Sequence, residues 1–174
     1  TIEPIDPVRF ITNRSSGKMG FAVTEQARNR GADVTLVAGP CNLPVLPGVQ
    51  MVSCQTADEM ANHVLEYLPQ CNVLIMTAAV GDFSPKNYFQ EKIKKNCNDT
   101  ISLNLVPTRD ILQEIAQNKS NQIVVGFAAE TENIIQNALD KLTRKKLDLI
   151  VANDVSVQGI GFESDDNQVV FVEQ

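Results

Sequence analysis

Residues 72–80, N-V-L-I-M-T-A-A-V, are the strongest strand-like run in the chain, and they decide its fold class. A mostly apolar run of this kind is typical of a buried strand in a parallel sheet. Strand-like runs and segments of helical period alternate on both sides of it. The other predicted strands are 8–12, 33–38, 49–53, 101–106, 123–128, 147–152 and 168–172, and the predicted helices are 17–30, 57–68, 109–117 and 132–146. This alternation predicts an α/β fold with a doubly wound, mostly parallel, Rossmann-like sheet and helices on both faces.

The length and composition limit the classes of function. With 174 residues, 15 Lys+Arg and 21 Asp+Glu, the chain has a net charge of −6 and the size of one globular domain, residues 1–174. The acidic balance argues against broad binding to nucleic acid or to a membrane surface. No apolar run approaches the roughly 18–20 residues of a membrane span. Four irregularly spaced cysteines and one histidine exclude a Cys/His zinc site, and they favour reduced thiols in the cytoplasm.

Ligands of such sheets bind beyond the carboxyl ends of the strands, so residues that follow a strand are candidates for the site. The segment Asn13–Gly20, N-R-S-S-G-K-M-G, follows the first predicted strand and opens a helix. Gly17 allows a ligand to approach the backbone, Ser15 and Ser16 carry hydroxyls, and the first-turn N–H groups favour an anion. The segment matches neither G-x-G-x-x-G nor G-x-x-x-x-G-K-[ST], the usual glycine motifs of dinucleotide sites and P-loops. A serine-capped, closely packed helix start explains it equally well.

The segment Ala78–Asp82, A-A-V-G-D, ends the central predicted strand. Its small residues leave room for a ligand against the backbone, and Asp82 has the chemistry to orient a hydroxyl, an amine or hydrated Mg²⁺. A tight strand-to-loop turn is the alternative interpretation.

Two clusters of basic residues stand out in this acidic chain. The first is Lys86 with K-I-K-K at 92–95, on a polar segment without period (81–100) that is predicted to be a long loop. Its charges create a local positive field suited to a phosphate-rich ligand. The second is Lys141, Arg144, Lys145 and Lys146 at the end of the last long helix. Cations at the C-terminal end of a helix complement its dipole, and this alone is enough to explain the second cluster without a ligand.

Five motifs in order carry a resemblance to a known family. They are E-P-I-D-P-V-R-F-I-T-N-R-S-S-G-K-M-G (3–20), A-A-V-G-D (78–82), E-K-I-K-K (91–95), G-F-A-A-E-T (126–131) and A-N-D-V (152–155). Together they resemble the bacterial phosphopantothenate–cysteine ligase domain of the bifunctional coenzyme A biosynthesis proteins, over nearly the whole chain. The resemblance implies a CTP-dependent, Mg²⁺-assisted ligation of 4′-phosphopantothenate with L-cysteine through an acyl-cytidylate. The products would be 4′-phosphopantothenoylcysteine, CMP and pyrophosphate.

The resemblance also implies roles for individual residues. Asn13 and Lys92 are the expected catalytic residues: Asn13 binds the intermediate for attack by cysteine, and Lys92 stabilises charge during cytidylate formation. Ser15, Ser16 and Gly17 join Asn13 in binding the substrate or intermediate, and Asp82 is the candidate metal ligand. The expected nucleotide-binding residues are Ala78, Asp82, Lys92, Arg109, Asp110, Ile111, Leu112, Phe127, Lys141 and Lys145. Arg109 stands where the family commonly has proline, and Gly81 where it usually has alanine.

The resemblance implies a larger assembly than this chain. The family has an apolar strand before the position of Thr1 and closing elements after Val172, so we expect a domain shortened at both ends. A homodimer and fusion to a flavin-dependent decarboxylase domain are also implied. Two other function classes stay open: an NAD(P)-dependent reductase, and a nucleotide-binding module without catalysis. The reductase interpretation lacks a glycine fingerprint, and Ala38-Gly39-Pro40 stands where an acidic or basic residue would be expected.

Overall fold

A four-stranded sheet organises the computed structural model, which describes residues 1–95, 100–130, 132–154 and 167–173. The strands are β1 (Ile2–Pro4), β2 (Phe10–Thr12), β3 (Thr35–Ala38), β4 (Gln50–Ser53), β5 (Val73–Met76), β6 (Phe83–Pro85), β7 (Leu105–Pro107), β8 (Ile123–Glu130), β9 (Leu149–Asp154) and β10 (Val169–Glu173). The helices are α1 (Lys18–Asn29), α2 (Ala57–Tyr67), α3 (Ile111–Asn118) and α4 (Ile134–Arg144). Cys97, Thr131 and Val155 lie outside the described residues.

The strand order in the main sheet is β10-β9-β8-β5. β5, β8 and β9 run parallel, with Val73 opposite Ile123 and Val125 opposite Leu149. β10 is antiparallel to β9, and β3 and β4 form a separate parallel pair. Because α3 lies between β5 and β8 in the chain and α4 between β8 and β9, these parallel neighbours are joined by helical crossovers. The predicted α/β class with a mostly parallel sheet is confirmed.

The core lies where α2, α3 and α4 pack against this sheet. Its largest fully buried side chains are Met60, Ile115, Val124, Leu142 and Ile150. Val124 lies on β8 and Ile150 on β9, and the other three lie on α2, α3 and α4. Residues 124–126 and 150–152 are buried consecutively, as is typical of parallel strands covered on both faces. Within the described ranges, no helix combines the length and the apolar content of a membrane crossing.

The first predicted strand, 8–12, is a short hairpin arm. Phe10–Thr12 pairs antiparallel with β1, where Ile2 is opposite Thr12. Within the described residues, β2 pairs only with β1 and not with the main sheet.

The central strand is shorter than predicted, because β5 ends at Met76 and not at Val80. The backbone beyond it bonds to the side chains of N-terminal residues. Asn13 donates to the carbonyl oxygen of Val80 at 3.0 Å, and the N–H of Gly81 donates to the Thr1 hydroxyl at 3.1 Å. These bonds hold the end of the run outside the strand. Residues 77–82 form an irregular segment there, called below the turn after β5.

The prediction of a long loop over 81–100 and a strand over 101–106 is partly wrong. Phe83–Pro85 is a strand, β6, which pairs antiparallel with β7 at 105–107. Two of its three residues are serine and proline, so the sequence offers no strand period there. Residues 100–104 are exposed and outside any strand.

The helical period over 132–146 predicts that Ile135, Ala138, Leu139 and Leu142 face inward, and in α4 this prediction is only half correct. Ala138 and Leu142 are buried, whereas Ile135 is 60% exposed and Leu139 is 38% exposed. The helix packs against β8, β9 and β10 through the first pair. The apolar face of α4 is therefore wider than the part of it that the described strands bury.

Candidate functional site

The amide of Asn13 joins the N-terminal hairpin to the turn after β5. Asn13 follows β2 directly, its side chain is exposed, and Nδ2 donates to the carbonyl oxygen of Val80 at 3.0 Å. Thr12 donates its hydroxyl to the Thr1 carbonyl oxygen at 2.7 Å and secures the same end of the hairpin. Two motifs far apart in the sequence, residues 13–20 and 78–82, therefore meet at the carboxyl end of β5.

The start of α1 is built by a glycine cap. Gly17 occupies the cap position at φ 77°, a left-handed conformation that favours glycine. The hydroxyls of Ser15 and Ser16 accept from the N–H groups of Gly17 and Lys18, each at 3.4 Å. A Cβ at Gly20 would lie 2.8 Å from Oγ1 of Thr77, so α1 packs tightly against the end of the β5 segment. The predicted close packing is confirmed, but glycine and not serine caps the helix, and ligand binding by these residues stays a prediction.

Thr108 connects the turn after β5 to the start of α3. Its hydroxyl donates to the carbonyl oxygen of Gly81 at 2.6 Å, and its N–H donates to that of Asp82 at 3.0 Å. The carboxylate of Asp82 is exposed beside this junction. Residues 109–112 are thereby held next to Asp82. Thr108 is not among the site residues predicted from the sequence, because a lone threonine carries no signal that would single it out.

Asp110 links the start of α3 to the end of α4. Its side chain caps α3 by accepting from the N–H of Gln113 at 3.1 Å, and it forms an ion pair with the ammonium group of Lys145. Burial alone would raise the pKa of Asp110, but the hydrogen bonds from Lys145 and Gln113 lower it below its usual range. The side chains of Lys145 and Asp110 are 9% and 48% exposed, so the pair opens to solvent on the Asp110 side.

Lys141 and Lys145, at the end of α4, bond to groups beyond their own helix and so do more than complement the helix dipole. Lys141 Nζ donates to the carbonyl oxygen of Phe127 at 2.8 Å, one turn before Lys145 reaches Asp110. Leu112 lies close to Gly126, where its Cδ1 would be 3.9 Å from an added Cβ. The structure therefore brings together the predicted residues 109–112, 127, 141 and 145.

Arg109 has protein partners on both sides. Its Nε and Nη2 donate to the two carboxylate oxygens of Glu114 at 2.9 and 2.6 Å, and Nη1 donates to Asn62 at 2.6 Å. A bidentate pair fixes the guanidinium plane. The Arg109 side chain therefore connects α3 to α2, and the expected nucleotide contact at this position stays a prediction.

The lysine segment lies at the other end of the N-terminal hairpin. Lys92, Lys94 and Lys95 are exposed and Ile93 is half-buried. The N–H of Phe89 donates to the carbonyl oxygen of Ile5 at 2.9 Å, which docks the segment on the hairpin turn. From Arg9 to Asn13 the extended backbone spans about 13 Å. The lysine segment is thus attached near Arg9, at the opposite end of β2 from Asn13.

Metal ligands are sparse in the part of the chain that the structure describes. No group of three or more His, Cys, Asp or Glu side chains forms there. Asp82 is the one exposed carboxylate within the turn after β5, residues 77–82. Mg²⁺ in nucleotide sites is commonly held by one or two carboxylates together with phosphate oxygens and water, and a single carboxylate fits that type of site.

The sequence matches a known protein family and curated relatives. A family model described as the DNA/pantothenate metabolism flavoprotein C-terminal domain matches residues 1–174. The coenzyme A biosynthesis bifunctional protein CoaBC of Vibrio cholerae is 47% identical over 169 residues, which cover 96% of this chain and 42% of that protein. The chain thus spans less than half the length of this curated relative.

Solved structures share the fold. The crystal structure of the C-terminal domain of a coenzyme A biosynthesis bifunctional protein CoaBC is 40% identical, with a TM-score of 0.82 over 99% of this chain and 78% of that one. A Cab2 mutant in complex with phosphopantothenate-cysteine has a TM-score of 0.79 at 18% identity, over 99% of this chain and 73% of that one. At that identity the second likeness concerns the fold alone.

Proposed function

Because the chain belongs to the DNA/pantothenate metabolism flavoprotein C-terminal domain family, we propose that it joins 4′-phosphopantothenate to L-cysteine with cleavage of CTP. The observation that carries the proposal is the convergence of Asn13, Asp82, Asp110, Lys141 and Lys145 at one end of the sheet, through bonds between distant motifs. Related proteins are named for coenzyme A biosynthesis, and a protein of the same fold binds phosphopantothenate-cysteine.

The proposed reaction has two steps. The carboxylate of 4′-phosphopantothenate attacks the α-phosphorus of CTP; the bond to the β-phosphate oxygen breaks, and pyrophosphate leaves. The amine of cysteine then attacks the acyl carbon, CMP leaves with the bridging oxygen, and the amine loses a proton as the amide forms. Neither step needs a protein nucleophile. Aligned anions and well-placed cations are sufficient, and this chemistry matches a site rich in lysine and amide groups.

The roles follow from what each group offers. Asn13 has one N–H on the Val80 carbonyl and a second N–H to donate to the acyl phosphate. Lys141 and Lys145 supply charge for the triphosphate, and Lys145 would exchange its Asp110 partner for phosphate oxygens. Phe127 and Ala78 frame the base through their backbone. Exposed Lys92 neutralises charge that develops at the α-phosphate.

Mg²⁺ is proposed as the metal of this site. Bound, it would neutralise phosphate charge, with Asp82 as a protein ligand and phosphate oxygens and water as the others. Asp82 also lies within reach of the Arg109–Leu112 segment through Thr108, so the nucleotide and the metal share one turn.

A homodimer in the cytoplasm, fused to a decarboxylase domain in the full-length protein, completes the proposal. Large apolar side chains are exposed on the connected elements β2, β6, β7 and the segment after β6: Phe10, Phe83, Tyr88, Phe89 and Leu105. A patch of this kind is typical of an interface between proteins. Analytical ultracentrifugation of Phe83→Ser should show a shift to monomer relative to wild type; an unshifted dimer would remove this patch from the interface.

The test of the proposed activity is a complete reaction with separate omissions. With CTP, Mg²⁺, 4′-phosphopantothenate and cysteine, we expect equal amounts of pyrophosphate, CMP and amide product. Without cysteine, one equivalent of pyrophosphate per site and an enzyme-bound cytidylate are expected. No pyrophosphate release in the complete mixture would contradict the proposal, and oxidation of added NADPH would favour a reductase.

A further inference from the structure

Asp6 is a buried carboxylate in the turn of the N-terminal hairpin. It is 2% exposed, and Oδ1 accepts from the backbone N–H groups of Val8 and Arg9 at 2.8 and 2.9 Å. Oδ2 accepts from the Arg9 guanidinium at 3.0 Å and from the N–H of Ile93 at 3.1 Å. One side chain thus orders its own turn and also binds a segment 87 residues away.

The backbone of Ile93 is held from both sides. Its N–H donates to Asp6, and its carbonyl oxygen accepts from the Arg9 guanidinium. Phe89 adds a third bond, to the Ile5 carbonyl oxygen at 2.9 Å. The Asp6 clasp, defined as these bonds among Asp6, Arg9 and Ile93, fastens an otherwise irregular stretch of chain to the hairpin.

Side chains next to the clasp remain accessible. Ile93 is half-buried against the turn, whereas Lys92 and Lys94 on either side of it are exposed. Fixing the backbone at Ile93 fixes the point from which the Lys92 side chain starts. Ammonium groups held near their working positions lose less freedom when a transition state forms.

Asp6 keeps its charge under working conditions. Burial alone would raise its pKa, but hydrogen bonds from the N–H groups of Val8, Ile93 and Arg9, together with the Arg9 charge, lower it to about 2. The clasp therefore stays intact near neutral pH.

We propose that Asp6 is a positioning residue that holds the lysine segment, and Lys92 in particular, for cytidylate formation. The inference rests on the proposed function, since Lys92 has its role only in that reaction. Asp6 touches no reacting atom in this account. It acts through the Ile93 backbone.

The test uses the protein at its natural full length and two substitutions in the same hairpin. Asp6→Asn keeps the size of the side chain but replaces one acceptor oxygen with an NH2 group. With the amide oxygen on the N–H groups of Val8 and Arg9, that NH2 faces the N–H of Ile93 and has no lone pair to accept from it. Glu3→Gln is the matched control, because Glu3 is also a buried carboxylate, 4% exposed, but accepts from the N–H of Ala57 at 2.9 Å and serves α2. Ile93→Pro removes the backbone N–H that donates to Asp6, and the substituted residue lies outside the hairpin.

Two measurements distinguish attachment of the lysine segment from its effect on catalysis. In native-state trypsin digestion, Asp6→Asn should speed cleavage after Lys92 and Lys94 by about tenfold, because the segment opens more often. In pyrophosphate release, Asp6→Asn and Ile93→Pro should lower kcat by at least about tenfold and leave the KM for CTP within about twofold, as expected for loss of transition-state stabilisation. Glu3→Gln should change neither the cleavage rate nor kcat.

Each contrary outcome has a distinct meaning. Unchanged trypsin cleavage in Asp6→Asn would overturn the clasp. Faster cleavage with wild-type kcat in both Asp6→Asn and Ile93→Pro would overturn the positioning role. A wild-type protein that releases no pyrophosphate would instead refute the proposed function and the role of Asp6 in it, while the digestion would still report whether the segment is fastened.

Discussion

Replacing Asn13 by Asp should separate the two steps of the proposed reaction. In the structure, one N–H of the Asn13 amide donates to the Val80 carbonyl oxygen at 3.0 Å. We propose that the other donates to the acyl phosphate. A carboxylate has no hydrogen to donate. It would face the Val80 carbonyl with like partial charge, swing away, and leave the acyl group without its donor.

The expected magnitude follows from this geometry. Removing one donor to a developing oxyanion costs on the order of 10²-fold in rate, or about 2.7 kcal/mol. The Asn13 side chain is exposed, so the effect on stability should stay within about 0.5 kcal/mol. Cysteine-dependent release of CMP should therefore slow by about 100-fold, while the pyrophosphate burst keeps its wild-type rate and the cytidylate accumulates.

A quenched single-turnover experiment measures both steps. Pyrophosphate is followed before cysteine is added, and CMP afterwards. Asn118→Asp is the matched control, because Nδ2 of Asn118 also donates to a backbone carbonyl, that of Glu114 at 2.8 Å, at the far end of α3. Wild-type CMP release in Asn13→Asp, or an equal loss of both steps in that variant, would refute the assignment of Asn13 to the second step.

Three further predictions test other parts of the structure. Lys92→Ala should abolish measurable pyrophosphate release while thermal melting stays unchanged, because the side chain is exposed; normal first-step turnover would remove Lys92 from that step. Gly126→Ala should lower the free energy of unfolding by about 1–3 kcal/mol, since the added Cβ would lie 2.7 Å from buried Leu147. Gly81→Ala, with its nearest contact at 3.5 Å, should change the free energy of unfolding by less than about 0.5 kcal/mol; urea denaturation compares the two, and an equal loss would be inconsistent with the packing described. Folding lowers the pKa values of four carboxyl groups: Asp6, Asp110, Glu114 and Asp148. Their ionised forms therefore contribute fully to the free energy of unfolding above the unfolded pKa near 4. That contribution is lost as pH falls towards about 2, the pKa of folded Asp6. Denaturation at a series of pH values should show stability falling in that window, and a rise in stability there would contradict the assigned pairs.

The sequence was informative where local chemistry decides the structure. The run I-V-V-G-F-A at 123–128 predicts a buried strand. Thr56 stands directly before the predicted helix 57–68, which predicts a helix cap, and its side chain does accept from the N–H of Glu59 at 3.2 Å. The rule that ligands bind at the carboxyl ends of strands also located the junction of residues 13–17 and 78–82. These features depend on short-range periodicity and capping, which one sequence contains.

Other features depend on tertiary contacts that no local pattern encodes. Asp110 was taken as part of a helix, but it caps α3 and pairs with Lys145, 35 residues away. Asp6 belonged to a recognised motif without an assigned role, because its bond to Ile93 exists only once the hairpin and the lysine segment are folded together. The short strand β6 escaped detection since proline and serine mask its period.

The most direct test of the central claim is to follow oxygen-18 from the carboxylate of 4′-phosphopantothenate. If that carboxylate attacks the α-phosphorus of CTP, one carboxylate oxygen stays on phosphorus when the amide forms. Mass spectrometry should then find one oxygen-18 atom in each CMP and none in pyrophosphate. Unlabelled CMP, or label in the pyrophosphate, would contradict ligation through an acyl-cytidylate.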